Sequence, residues 1–152
     1  MSLDRYDLTS SEDRLTYEFY SDGPKGEIKK VVQFTKLKSL ANDIYNLGFG
    51  DFNKETGEVD DLTVSNNKDR DLILQTVAST VPFFLEKYPT AQITFNGSTE
   101  ARTRLYLMQI SKRLADLDES FQILGLKDEA WESFQKNGRY KAILVTRRKP
   151  VN

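Results

Sequence analysis

Ser98, Thr99, Arg102 and Arg104 form the constellation whose types and spacing point most directly to binding chemistry. Just before them, Ile93 and Phe95 alternate with Gln92 and Thr94, the period of a half-buried strand. Gly97 lets the chain reverse, and Ser98 or Thr99 can accept from an orphan backbone N–H and so cap a helix running to Leu117. A strand–glycine–helix junction offers free N–H groups and the positive end of a helix dipole, which together suit an anion. Arginines in the first turns can add bidentate contacts to a phosphate. The string is neither a P-loop nor a dinucleotide fingerprint, and Glu100 would repel an anion. The competing reading is a capped helix with solvated arginines.

Other charged groups point less far. Asp51, Glu55, Glu58, Asp60 and Asp61 place oxygen ligands at nearly alternate positions, as a calcium loop would. Thr56 stands where that loop needs glycine and Leu62 where it needs a bidentate glutamate, so the reading is a solvated turn with no metal. Arg139, Lys141, Arg147, Arg148 and Lys149 make a basic end that reads as a solubilising strand terminus. The sequence has no Cys and no His, which removes thiolate chemistry, zinc fingers and imidazole acid–base catalysis. No cofactor and no catalytic residue is assigned. The 17 aromatic residues lack the aromatic–glycine string of the common RNA-recognition sheet, so they are read as core.

The elements that must position these groups follow from composition and pattern. With 38% apolar and 30% charged residues, a chain of 152 suits one globular domain. Net charge is −1, which argues against a surface dedicated to nucleic acid. Residues 1–70 hold 10 Lys/Arg against 14 Asp/Glu, and residues 71–152 hold 12 against 9, so the basic excess falls on the half with the junction. MSLDRYDLTSSEDR has no apolar stretch of the signal-peptide kind, and no apolar run approaches a membrane span. The expectation is a cytoplasmic protein without membrane contact.

Residues 1–14 read as a flexible arm, with Tyr6 and Leu8 laid on the surface, and 149–152 as a tail. Between them lies the domain, 15–148. Leu15, Tyr17 and Phe19 mark a strand, SDGPKG a turn, and Glu27–Leu37 its hairpin partner. Asn42–Phe52 and Glu58–Ser65 continue an antiparallel meander, with Gly48 and Gly50 marking a bulge or close approach. Asp69–Lys87 reads as a helix capped by Ser65, Asn66 or Asn67 and kinked by Pro82 near Ala78. Thr103, Leu107, Ile110, Leu114 and Leu117 share a face of the second helix, with Arg102, Tyr106, Gln109 and Arg113 beside it. Ser120–Leu126 is a strand, 127–135 fits helix or strand, and Arg139–Arg147 is a central strand because it is apolar on both faces. The fold expected is α+β: a twisted, largely antiparallel sheet of six or seven strands packed on two long helices. A right-handed crossover would link the fourth strand, first helix and fifth strand.

The strings YEFYSDGPKGEIKKVVQF, IYNLGFGDFNKETGEVDD, SNNKDRDLILQTVASTVPFFLEKYP, NGSTEARTRLY and NGRYKAILVTRR resemble a family of uncharacterised proteins, mostly from Bacteroidetes bacteria, classed as a domain of unknown function. The resemblance covers about 15–148 and carries no catalytic residues with it. It implies a bacterial, cytoplasmic, single-domain protein.

Two function classes remain. The favoured one is a non-enzymatic binding or regulatory module with a weak anion site at Ser98, Thr99, Arg102 and Arg104. The alternative is a His-independent enzyme on a phosphorylated or nucleic-acid substrate, using Arg102, Arg104 and Tyr106 or Arg113 to stabilise charge. The partner is an anionic ligand or another protein. A monomer is favoured over a dimer through Leu105 and Met108, which the segment around Trp131 is expected to cover.

Overall fold

The computed structural model describes residues 5–37, 43–52, 55–56, 59–61, 69–96, 101–117, 120–135 and 138–147, and their side chains except those of 59–61, 96, 101–107 and 117. In chain order the elements are β1 (Thr9–Ser10), β2 (Thr16–Gly23), β3 (Gly26–Lys36), β4 (Ile44–Phe52), β5 (Val59–Asp61), α1 (Arg70–Lys87), β6 (Gln92–Asn96), α2 (Ala101–Leu117), β7 (Phe121–Lys127), β8 (Ala130–Ser133) and β9 (Ala142–Arg147).

The fold is α+β, with a mostly antiparallel sheet and two helices. The sheet has nine strands among the described residues, not six or seven, in the order β1-β2-β3-β4-β6-β9-β7-β8, with β5 paired to β4. The surplus comes from elements too short to show a period: the pair Thr9–Ser10 and the hairpin partner Ala130–Ser133. The β7–β8 turn, Asp128-Glu129, has φ of 48° and 69° at two non-glycine residues, so it lacks the glycine that usually announces such a hairpin. This resolves 127–135 as turn and strand.

β4 organises the topology. β3 lies along one edge, while β5 and β6 share the other, β5 beside Gly50–Phe52 and β6 beside Ile44–Asn46. The β4–β6 pairing is parallel, so the crossover through α1 joins β4 to β6. This corrects the expectation that the strand after β4 would begin the crossover. β9 lies between β6 and β7, the central place its two-sided apolar pattern predicts.

Both helices pack on one face of the sheet. Phe84 of α1 stacks on Phe34 at 4.1 Å and meets Tyr45 edge-on at 5.0 Å. Val77, Val81, Ile93, Phe95, Ile110 and Leu114 are buried in the same cluster, Leu144 is half-buried on the opposite face, and the side chain of Leu107 lies outside the description. Met108 is also buried in this cluster, and Trp131 on β8 is 47% exposed. Of the anticipated close approaches at glycine, a Cβ at Gly48 would meet only Asn46 Nδ2, at 4.0 Å, an ordinary contact. Gly125 is the tight one: a Cβ there would sit 2.3 Å from the Tyr140 ring.

α1 is a single helix despite Pro82, and it is buried on more than one side, from Thr76 through Val81. The hydroxyls of Ser79 and Thr80 donate to carbonyls three residues back, which lets these polar residues sit inside. Asp69 is the residue before its first turn, but its carboxylate does not cap the helix; the proposed caps Ser65, Asn66 and Asn67 lie outside the described residues.

Candidate functional site

Residues 5–14, expected as an arm, run lengthwise along α1 and are hydrogen bonded at both ends. At the helix start, the Tyr6 N–H donates to Thr76 Oγ1 at 2.8 Å and the Tyr6 hydroxyl donates to Asp69 Oδ2 at 2.5 Å. At the helix end, Lys87 Nζ donates to the Glu12 carbonyl at 3.1 Å and Tyr88 Oη to the Asp13 carbonyl at 2.8 Å. The lengths match: the 18 residues of α1 rise about 27 Å, and an extended run from Tyr6 to Asp13 spans about 24 Å.

The first anchor belongs to a buried polar cluster. The Ser21 hydroxyl, fully buried, also donates to Asp69 Oδ2. Asp69 is 8% exposed, and its Oδ1 is buried without a hydrogen-bond partner among the described residues. The Tyr6 hydroxyl accepts from the Asp22 N–H at 3.1 Å, and its ring stacks on Phe19 at 5.8 Å. Burial raises the Tyr6 pKa, helped by its bond to Asp69. On the same sheet face, Lys30, 3% exposed, forms an ion pair with its cross-strand neighbour Asp51. A serine, a lysine, a tyrosine and two aspartates so grouped have the types of a nucleophile system. Ser21, Lys30 and Asp69 are nonetheless closed to solvent, and an acid, base or nucleophile must reach its substrate.

An open site lies between the segment and the helix. Arg5, Asp7, Leu8, Ser10, Arg14, Tyr17 and Phe83 line a cleft of about 390 Å3. The turn Ser11–Arg14 builds its far wall. Ser11 Oγ donates to Asp13 Oδ1, the Leu15 N–H donates to the same oxygen, and the Arg14 N–H closes the turn on the Ser11 carbonyl. These two donors hold the Asp13 carboxyl below its usual pKa. Arg14 adopts φ of 59°, a left-handed conformation costly for a non-glycine residue. Its guanidinium bonds the Phe83 carbonyl at 3.2 Å and lies 3.7 Å from Glu86, while Arg5 sits 5.7 Å from the Phe83 ring. Tyr17 is 1% exposed, and its buried hydroxyl faces the Ser10 side chain with no other hydrogen-bond partner among the described residues. Burial pushes that phenol up to about 12, against the pull of Arg14 and of the Ser10 hydroxyl, so it stays protonated at neutral pH.

Ser98 and Thr99 lie outside the described residues, and so do the side chains of Arg102 and Arg104; their backbone falls in the first turn of α2, which begins at Ala101. Arg113, a candidate charge stabiliser, instead ties the helices together, bonding Gln109 Oε1 at 3.0 Å and Asp71 Oδ1 at 3.2 Å. Of the acidic set, Asp51 is taken by Lys30, Glu55 is exposed, and the side chains of Glu58, Asp60 and Asp61 lie outside the description. Of the basic end, Arg147 lies 5.6 Å from the Phe121 ring, and Arg148 and Lys149 lie outside the description. The cleft itself escaped sequence reading because Phe83 stands 69 residues beyond Arg14. The one signal was polar residues flanking Tyr6 and Leu8 ahead of a strand.

The family model described as "Family of unknown function (DUF6934)" matches residues 2–148. The chain belongs to that family. No curated protein and no solved structure matches it. The family match takes in the whole of segment 5–14, so the cleft lies within the part of the chain that defines the family. Among the described residues, no helix is long and apolar enough to cross a membrane.

Proposed function

We propose that this protein is a non-enzymatic binding module whose ligand site is the cleft between residues 5–14 and α1, and that the cleft takes an anionic group. One observation carries the reading: the guanidiniums of Arg5 and Arg14 both line one cleft between the segment and the helix. Guanidiniums are donors only, so their complement is an acceptor bearing negative charge. The left-handed Arg14 supports the same reading, because backbone outliers concentrate at ligand sites. The non-enzymatic part rests on the sealing of Ser21, Lys30 and Asp69. The setting proposed is the cytoplasm, acting as a monomer, on the sequence reading alone.

The test is thermal unfolding of the full chain against a panel of small carboxylates and phosphates. A ligand at a hundred times its Kd adds about 2.7 kcal/mol of stability. The upward shift in Tm should appear in wild type and shrink in Arg14→Ala and Arg5→Ala. A panel that shifts neither wild type nor variants refutes the site. A second anion position at Ser98, Thr99, Arg102 and Arg104 is part of the proposal, supported by α2 starting at Ala101 directly after β6. Loss of a ligand shift in Arg102→Ala and Arg104→Ala, with Arg14→Ala unaffected, would assign binding to that position instead.

A further inference from the structure

We infer that the ligand of the cleft is a zwitterion, an α-amino acid with an apolar or aromatic side chain. The inference rests on the anion-binding reading of the same cleft and adds the residue that reading leaves unused, Asp7.

The lining carries three charges, Arg5 and Arg14 positive and Asp7 negative. Arg5 and Arg14 are partly occupied, by the Tyr6 carbonyl and by Phe83 and Glu86 respectively. Asp7 is exposed and makes no hydrogen bond or ion pair among the described residues. In a cleft of about 390 Å3 these groups lie within roughly one screening length of one another, so each acts on whatever is bound. A simple anion drawn in by the arginines would meet the Asp7 carboxylate, a repulsion that offsets part of the gain. A dianion such as a phosphate monoester meets more of it. A ligand carrying a carboxylate and an ammonium complements all three charges at once.

The remaining lining fits the rest of such a molecule. The second guanidinium supplies donors for the second carboxylate oxygen, because a carboxylate accepts more bonds than one guanidinium fills. Leu8 is half-buried, and Phe83 is 38% exposed, a ring left open beside the cleft. These two surfaces suit an apolar or aromatic side chain. The volume is at the small end of ligand pockets, which favours a single amino acid over a nucleotide or a folded partner. A free amino acid also has its amine and carboxylate on one carbon, as a cleft this small requires.

Titration calorimetry on the full chain separates the possibilities. The ligands are L-phenylalanine, N-acetyl-L-phenylalanine, which lacks the ammonium, and L-phenylalaninamide, which lacks the carboxylate. Phenylalanine should bind at least about tenfold more tightly than either analogue, the scale of one charge-assisted hydrogen bond. Asp7→Asn should remove that advantage over the N-acetyl compound, weakening phenylalanine and tightening the N-acetyl compound by relief of the repulsion. Arg14→Ala should weaken both. If N-acetylphenylalanine binds as tightly as phenylalanine and Asp7→Asn changes nothing, the zwitterion inference is overturned while the anion reading stands. If neither carboxylate binds, both fall. Asp7 and Arg14 lie at the surface, and an unfolding midpoint within a degree or two of wild type confirms that the variants are folded.

Discussion

Tyr6→Phe removes one oxygen and tests whether the N-terminal segment is held as the structure places it. The phenylalanine ring keeps the stack on Phe19 at 5.8 Å, so the apolar contribution is nearly unchanged. The loss is a donor 2.5 Å from a carboxylate oxygen. Hydrogen bonds to charged groups contribute about 1.5–3 kcal/mol, and the Asp22 N–H left behind lies on an exposed residue where water replaces the phenol. The expected cost is therefore about 2 kcal/mol. Ser21→Ala should cost a similar amount, because its hydroxyl donates to the same Oδ2. The double variant is the sharper measurement. Asp69 is 8% exposed and its other oxygen has no partner, so removing both donors leaves a buried carboxylate with none among the described residues. The two changes should then cost more together than their sum, by about 1 kcal/mol or more. Urea unfolding at constant m-value reads all three. A Tyr6→Phe cost below about 0.5 kcal/mol, or strict additivity, would refute the shared-acceptor account.

Other predictions follow from burial and contact. The Tyr17 pKa is raised from 10.0 to about 12 in the fold, so its share of stability is intact below pH 10 and is lost as pH climbs through 12. Two units correspond to about 2–3 kcal/mol, and Tyr17→Phe should flatten the alkaline stability curve relative to wild type; an unchanged slope argues against a buried phenol. Gly125→Ala should cost about 1–3 kcal/mol by pushing the Tyr140 ring off its Cβ position and disturbing the Gln135 and Glu132 bonds to Tyr140 Oη. A neutral result in a melting curve would show that the ring gives way freely. Lys30→Met should cost about 3–5 kcal/mol by stranding Asp51, and adding Asp51→Leu should restore most of it; failure of the second change to help would mean the pair is not isolated from water. Ile110→Ala should cost about 2–5 kcal/mol in urea unfolding, and a loss under half a unit would place that helix face outside the core.

Periodicity reached the long elements because they bury one face each. Tyr17 and Phe19, Val32 and Phe34, Tyr45 and Leu47, and Ile93 and Phe95 alternate in the sequence and all lie in the core. It could not reach β1, whose two residues are both exposed and are defined by backbone pairing with Glu18 and Tyr17. Nor could it reach the sharing of one β4 edge by β5 and β6, which side-chain pattern does not encode. Lys30 illustrates a different failure. Its polarity suggests the solvent face, but its position two residues before Val32 puts it on the core face, and burial is made tolerable by Asp51 across the ladder. The cleft joins Leu8 and Arg14 to Phe83, so no local string carries it. Arg14 signals it least of all, because a left-handed arginine has no sequence mark.

The most direct test of the binding account is a backbone amide NMR titration of the full chain with L-phenylalanine. Saturable shifts should gather at residues 5–17 and 83–86, the two walls of the cleft, and vanish in Arg14→Ala. Saturable shifts confined to residues 96–104, or none in either region, would contradict it.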